Sequence, residues 1–205
     1  LIVMASHGRR GLTALLLGGC ASIGRHDLDA AQAYASVAQS TVIDCTAVDH
    51  CATPSPLRAL GDRALNESRP GAERDYVQVI EGGEDALLAR INLIRSARQS
   101  IDLQSYIYGQ DDSGYLVLNE LLAAARRGVK VRLLVDQVNA PNDLGLLATL
   151  AAAHVNFEMR LYNPIFDRAH TSPTAYALGV LCCFHRINQR LHNRPQRVDD
   201  RVCPP

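Results

Sequence analysis

The amino-acid sequence predicts an α/β domain built around a layered, mostly parallel sheet. Apolar and polar residues alternate after positions 100, 128 and 154, as they do in strands with one buried face. Between these segments, apolar residues recur every three or four positions, which is typical of amphipathic helices. Because strands and helices alternate along the chain, each strand returns to the sheet through a helical crossover, and such crossovers join parallel strands.

The predicted elements follow one another from about Tyr76 onward, with a short helix expected before them at 57–65. Ser113 is the expected cap of the second domain helix, and Gly128 is expected to end it because glycine tolerates a left-handed backbone. The elements are a strand at 77–80 ended by Gly82 and Gly83, a helix at 84–99, a strand at 101–108, a helix from 113 to 128, a strand at 129–135, a helix at 143–153 and a strand at 155–161.

The composition limits the classes of protein to which the chain can belong. The 205 residues are enough for one domain with a core, and 47% apolar against 20% charged residues is a globular composition. Lys plus Arg and Asp plus Glu are 21 each, so a strongly basic nucleic-acid binder is disfavoured. The sequence shows no stretch near the ~20 apolar residues of a membrane-spanning helix and no glycine-rich nucleotide-binding motif. A membrane-spanning protein and a nucleotide-cofactor enzyme are therefore not expected.

The first 20 residues have the order of a secretion signal. Arg9 and Arg10 precede a short apolar run at 12–17, and small residues lead to Cys20. This ending resembles a bacterial lipobox, so Cys20 is the expected lipidation site; the alternative is a chance cysteine in a poorly ordered N-terminus. The residues before Met4 are interpreted as sequence upstream of the true start. The predicted division is a lipoprotein-type signal segment at 1–20, a tether or linker at 21–75 and a domain at 76–205.

Six cysteines are present, and their spacing gives little support to a zinc site. The sequence contains neither paired C-x-x-C motifs nor an H-E-x-x-H motif. Cys45 and Cys51 could close a small loop if the chain is exported, but spacing alone leaves their pairing open. Cys182 and Cys183 are adjacent in an apolar run and are interpreted as small core residues.

Three polar residues are candidates for lining a binding pocket. Gln104, Tyr106 and Asp136 lie at or near the predicted carboxyl ends of two strands. Ligands of open parallel sheets collect at that edge. The alternative is that each is a loop or edge residue without a ligand.

The candidate catalytic residues are His192, Arg194 and Asp199. In an extended strand, positions 192 and 194 point to the same face, so an imidazole and a cation would meet one phosphate group together. Histidine can attack phosphorus, and a fixed cation stabilises the oxygens as charge develops. The alternative is a plain anion-attracting surface, because the segment 185–201 holds five Arg against two Asp.

Several blocks of the sequence share one family pattern and occur in that family's order. They lie at 83–90, 100–107, 124–136, 160–164 and 191–194. Together they resemble the phospholipase D superfamily, and especially its bacterial cardiolipin-synthase-like members. The resemblance covers roughly residues 76–202, and it extends the prediction to a phospholipase D-like domain.

This resemblance implies a catalytic H-x-K-x4-D motif. In that motif His192 is the nucleophile, Arg194 takes the place of the lysine, and Asp199 is the carboxylate that positions an imidazole. The implied reaction is exchange or hydrolysis at a phosphodiester through a phosphohistidine, without a metal or other cofactor. The implied partners are a phospholipid of the phosphatidylglycerol or cardiolipin type and a membrane surface. Because the family site uses two histidines, a homodimer or a second half of the protein is expected to complete it.

The sequence departs from the family pattern near its end. Arg194 lacks the compact ammonium of lysine, and Pro195 cannot donate to a sheet ladder. The chain stops at Pro205, before the family's glycine-rich stretch and second motif, so we expect a truncated N-terminal half with an incomplete sheet and impaired activity. The predicted location is the bacterial cell envelope, with a lipid anchor. The alternatives are a non-catalytic, lipid-tethered module that binds anionic head groups and a nuclease of the same superfamily, although nucleic acid is the less expected partner.

Overall fold

A computed structural model describes residues 2–3, 35–105, 111–136, 144–162 and 197–198, together with residues 33, 174, 177, 178 and 181. The structural statements below concern these residues. The elements are β1 (Ile2–Val3), α1 (Pro56–Glu67), α2 (Gly83–Ser96), β2 (Ser100–Ser105), α3 (Asp112–Arg126), β3 (Lys130–Asp136), α4 (Leu144–Ala151), β4 (Phe157–Tyr162) and β5 (Arg197–Val198).

The strands form one sheet in the order β1-β4-β3-β2-β5. β2 pairs parallel with β3, and β3 pairs parallel with β4, so the predicted mostly parallel α/β architecture is confirmed. β1 adds to β4 in parallel, which places two residues from before Met4 in the sheet. β5 pairs antiparallel with β2 at the other side.

One face of the sheet forms the core together with three helices. Ile101, Val131 and Phe157 are register partners on β2, β3 and β4, and all three are buried. α3 packs on this face through residues spaced by three or four positions, which include the fully buried Leu121. Residues from α2, α3, α4 and the three strands form one apolar cluster that includes Ile94, Leu103, Val117, Leu118, Leu121, Ala125, Leu133, Val135, Leu150, Met159 and Leu161.

The predicted strand at 77–80 is wrong. The side chains of Val77 and Val79 are 83% and 81% exposed, and residues 73–82 have no regular secondary structure. A strand forms only beside a partner, and the structure describes no strand paired with this segment. The β-branched residues of this segment favour a strand locally, but among the described residues the segment lacks the neighbouring strand that is needed to form one.

The cap of α3 differs from the prediction by two residues. Asp111 caps the helix: its Oδ1 accepts from the backbone N–H of Gly114 at 2.7 Å and from the hydroxyl of Ser113 at 2.8 Å. A carboxylate is the stronger acceptor for these donors, so the hydroxyl becomes a donor to the cap. The predicted end of α3 is confirmed, because Gly128 has a φ of +100° directly after the capping residue Arg127.

The region before α2 contains more structure than its composition indicates. The predicted short helix at 57–65 is confirmed as α1. Cys45 and Cys51, whose pairing the sequence left open, form a disulfide. Within the predicted linker, residues 39–58 hydrogen-bond to the ends of α2, α3 and α4; we call this segment the strap. The division of the chain into signal, linker and domain stays a prediction.

Candidate active site

The carboxyl edge of the sheet is where β2, β3 and β4 end. The last residues of these strands are Ser105, Asp136 and Tyr162. Asp136 and Tyr162 are register partners, and Ser105 pairs with Val135, one position before Asp136. Because adjacent strands lie about 4.8 Å apart, the three strand ends fall within roughly 10 Å of one another across the sheet.

Two of the predicted pocket residues share this edge. Gln104 is the register partner of Leu134, which lies two residues before Asp136 on β3. Side chains two apart on a strand point to the same face, so Gln104 and Asp136 lie on the face opposite the helices. Gln104 is half-buried, whereas Asp136 is 1% exposed. Its burial distinguishes Asp136 from Gln104, and the predicted role of both as pocket residues stays a prediction.

Tyr162 also lies at this edge of the sheet, and the sequence analysis did not single it out. It ends β4 beside Asp136, on the same face as Gln104, and its side chain is half-buried. A phenol at such an edge combines an apolar ring with a hydroxyl that can donate to a phosphate oxygen. Its place directly before Asn163 and Pro164, at a predicted strand end, was the signal available in the sequence.

The middle of this polar face carries a row of alternating charge. Asp102, Arg132 and Glu158 are successive register partners on β2, β3 and β4. Arg132 donates to both carboxylate oxygens of Asp102, at 2.5 and 2.7 Å. On β4, Arg160 donates to Glu158. Arg132 on β3 and Arg160 on β4 are thus each paired with a carboxylate on this face.

The N-terminus of α3 also lies at the carboxyl edge, because α3 follows β2. The positive end of a helix attracts anions, but here the carboxylate of Asp111 already accepts a hydrogen bond from the backbone N–H of Gly114 in the first turn. The N–H of Gly114, followed by the hydroxyl of Ser113, holds the pKa of Asp111 below its ordinary value. The carboxylate of Asp111 thus satisfies one backbone donor of this helix end, the N–H of Gly114.

The direction of β5 bears on the predicted catalytic motif. Val198 pairs with Ile101 and Arg197 pairs with Asp102. Because β5 runs antiparallel to β2, its first residue, Arg197, lies closer to the carboxyl edge than Val198 does. His192, Arg194 and Asp199 themselves lie outside the described residues, as do Tyr106, Cys20, Cys182 and Cys183.

Comparison with known proteins identifies the family. The profile of the family described as "Cardiolipin synthase, PLD-like domain" matches residues 90–196, more than half of the chain. The matched range contains β2, α3, β3, α4 and β4 and extends through position 194. The chain belongs to this family. The predicted membership of the phospholipase D superfamily, with a cardiolipin-synthase-like domain, is thereby confirmed.

Curated relatives match the chain over 120 to 160 residues. Cardiolipin synthase C of Escherichia coli strain K12 is 41% identical over 120 residues, which is 58% of this chain and 24% of the relative. Cardiolipin synthase B of the same strain is 38% identical over 132 residues, or 63% of this chain and 28% of the relative. An uncharacterized protein of Helicobacter pylori strain 26695 is 34% identical over 160 residues, or 78% and 30% of the two chains. The chain spans about a quarter to a third of the length of these relatives.

Two further properties concern the part of the chain that the structure describes. None of their helices combines the length and the apolar character required to cross a membrane. Their His, Cys, Asp and Glu side chains form no group of three or more that could hold a metal ion.

Proposed function

We propose that this chain supplies the first catalytic motif of an enzyme that transfers phosphatidyl groups, with His192 as the nucleophile. The family match carries the proposal, because it covers residues 90–196 and so includes both His192 and Arg194. The two cardiolipin synthases that match the chain support a phospholipid substrate. Hydrolysis of the same phosphodiester is the outcome when water replaces the accepting alcohol.

The proposed reaction has two steps at one phosphorus atom. The imidazole of His192 attacks phosphorus, the P–O bond to the leaving alcohol breaks, and a second histidine donates a proton to that alcohol. The accepting alcohol then attacks the phosphohistidine, loses its proton to the second histidine and releases His192. Arg194 stabilises the non-bridging oxygens as their charge grows, and Asp199 accepts from the imidazole and fixes its orientation.

The carboxyl edge of the sheet is the proposed location of this chemistry. β5 runs from Arg197 to Val198 away from that edge, so the motif positions 192 and 194, which precede β5 in the sequence, are proposed to lie on the side of that edge. Gln104 and Tyr162 supply hydrogen-bond donors there, and Asp136 holds neighbouring groups in place. The second histidine comes from a second copy of this motif, either in another chain or in the remaining length that the relatives possess.

We further propose that the protein acts at a membrane of the bacterial cell envelope, anchored by a lipid on Cys20. The disulfide between Cys45 and Cys51 supports export, because disulfides persist in oxidising compartments. A lipid anchor also brings the site to its substrate, since each buried methylene of an acyl chain contributes about 0.8 kcal/mol to membrane binding.

The test is turnover of phosphatidylglycerol in vesicles by the whole protein and by His192→Ala. We expect the substitution to reduce turnover by about 10³-fold or more, because it removes the nucleophile. His185→Ala is the matched control, since it removes an imidazole seven residues earlier in the same segment without touching the motif, and it should retain activity. Equal turnover by the wild type and His192→Ala would remove His192 from the mechanism.

A second candidate is a non-catalytic module that binds anionic head groups through the segment 185–201. Its five arginines against two aspartates favour this function. Binding to anionic vesicles that survives His192→Ala but is lost when Arg186, Arg190 and Arg194 are neutralised together, in a protein without turnover, would support it. Turnover that depends on His192 would exclude it.

A further inference from the structure

The strap (residues 39–58) lies at the side of the sheet opposite to the carboxyl edge, where β2, β3 and β4 begin; we call this side the amino edge. There it supplies hydrogen-bond donors to the carboxyl ends of α2, α3 and α4. The last carbonyls of a helix have no partner within the helix, so they need donors from elsewhere. The amide of Gln39 donates to Ala151 O of α4 at 2.9 Å, and the backbone N–H of Asp44 donates to Arg126 O of α3 at 2.8 Å. At the end of α2, the N–H of Thr53 donates to Arg95 O at 3.0 Å.

The disulfide closes the central loop of the strap around His50. Cys45 and Cys51 are six positions apart, and their Cα atoms are 6.1 Å apart. His50 and Cys51 have φ angles of +50° and +52°. Residues with a Cβ adopt this left-handed conformation only when the surrounding structure holds them in it. The disulfide is the covalent constraint on this stretch of the strap.

His50 and Arg127 bind each other reciprocally at the end of α3. Nδ1 of His50 donates to Arg127 O at 2.8 Å, and Nε of Arg127 donates to His50 O at 3.0 Å. The same guanidinium donates to Ile94 O at the end of α2, at 3.2 Å. Burial lowers the pKa of Arg127, so this cation is held by carbonyls in a partly desolvated position. The pair therefore links the disulfide loop to two helices at once.

Gly128 shows how closely the loop approaches α3. A Cβ at this position would lie 2.7 Å from Nδ1 of His50 and 2.9 Å from its Cε1. The close approach of His50 to Gly128 depends on the position of His50, and the disulfide constrains Cys51, the residue next to His50. The loop, Arg127 and Gly128 thus form one packed unit.

We propose that the loop closed by Cys45 and Cys51 is a redox-dependent clasp: its disulfide holds His50 against the end of α3, and reduction releases that contact and loosens the amino edge of the domain. The domain then reaches its full stability only in surroundings that oxidise the two thiols. The proposal is independent of the function proposed above, because it concerns the folding stability of the chain.

Reduction by a dithiol proceeds by thiol–disulfide exchange. Cys51 is exposed and Cys45 is buried, so the thiolate of the reductant attacks Sγ of Cys51. The S–S bond breaks, Cys45 leaves as a thiolate and takes up a proton, and Cys51 is held in a mixed disulfide. The second thiol of the reductant loses its proton and attacks the reductant's sulfur, which releases Cys51 as a thiol and the reductant as a cyclic disulfide. Two electrons pass from the reductant to the protein.

The first experiment compares thermal unfolding of the whole chain with and without dithiothreitol. We expect reduction to lower the midpoint by about 5 °C, which is the order of effect expected for a small disulfide loop. The double variant Cys45→Ser/Cys51→Ser is the control: it should unfold at the midpoint of the reduced wild type and ignore the reductant, although the other four cysteines remain. An unchanged wild-type midpoint, or a control that still responds, would overturn the proposal.

The second experiment separates a clasp from a simple cross-link. A cross-link that acts only on the unfolded chain would shift the midpoint by the same amount in His50→Ala as in the wild type. A clasp acts through His50, so reduction should shift the midpoint of His50→Ala by less than half of the wild-type shift. Equal shifts in the two proteins would show that the disulfide acts only as a cross-link, and they would refute the clasp. Neither readout requires substrate, so failure of the proposed activity leaves this test unaffected.

Discussion

The two edges of the sheet are built differently. At the amino edge, the carbonyls at the ends of α2, α3 and α4 receive donors from the strap and from Arg127. At the carboxyl edge, Asp136 and Tyr162 end their strands and Gln104 lies one residue before the end of β2, so polar side chains gather there. The first arrangement satisfies the backbone and stabilises the fold, whereas the second presents side chains that can bind a ligand. Together with the proposed function, the contrast predicts that stability depends on one end of the strands and activity on the other, so substitutions should separate the two.

The largest expected effect is at the amino edge. Gly128→Ala places a Cβ against His50 and forces a side chain into a φ of +100°, so we expect a loss of about 2–3 kcal/mol in unfolding free energy. Gly71→Ala is the matched control, because Gly71 has a φ of +77° but open space around its Cβ position, and it should lose only about 1 kcal/mol. Denaturant unfolding measures both. Equal losses would show that the contact with His50 contributes nothing.

The next effect is at the carboxyl edge and concerns activity. Gln104→Ala removes a half-buried amide from the proposed site, so we expect turnover to fall about tenfold, which corresponds to about 1.4 kcal/mol. Its unfolding free energy should change by less than about 1 kcal/mol. Lys130→Ala, an exposed polar residue at the amino end of β3, is the control and should leave turnover unchanged. Loss of turnover in the control, with none in Gln104→Ala, would reverse the assignment of the two edges.

The smallest effect is the pH dependence of the α3 cap. The pKa of Asp111 is lower in the folded chain than in the unfolded chain, so its contribution to stability is present above the ordinary carboxyl pKa of about 4. That contribution is lost as the pH falls through the lowered value. Asp111→Asn keeps an acceptor but does not titrate, so its midpoint of unfolding should depend less steeply on pH below about 4 than that of the wild type. Identical slopes would mean that the carboxylate charge does not stabilise the helix.

The central elements could be predicted from the sequence because their signals are local. Strands β2, β3 and β4 alternate in polarity, and α3 repeats its apolar residues at helical spacing and ends at Gly128. The segment 77–80 shows the limit of such signals, because its preference for a strand has no partner among the described strands. The strap was missed because its contacts are distant in sequence: its hydrogen bonds reach residues from 92 to 155, and it has no periodicity of its own.

The candidate site could be predicted in part. The position of Gln104 and Asp136 could be predicted because polar residues at strand ends meet at one edge of a parallel sheet, whereas their role in a pocket stays a prediction. The sequence could not give the burial of Asp136, which depends on everything packed around it, or the proximity of Tyr162, which depends on the register of β3 and β4. The roles of His192, Arg194 and Asp199 rest on the family pattern and stay predictions.

The most direct test of the central claim is to trap the covalent intermediate. The whole protein is mixed with phosphatidylglycerol vesicles, quenched at alkaline pH, where phosphohistidine is preserved, and digested for peptide mass spectrometry. We predict a phosphatidyl adduct on the peptide containing His192, absent from His192→Ala and present in His185→Ala. An adduct on another residue, or turnover with no adduct on His192 at any time after mixing, would contradict the account.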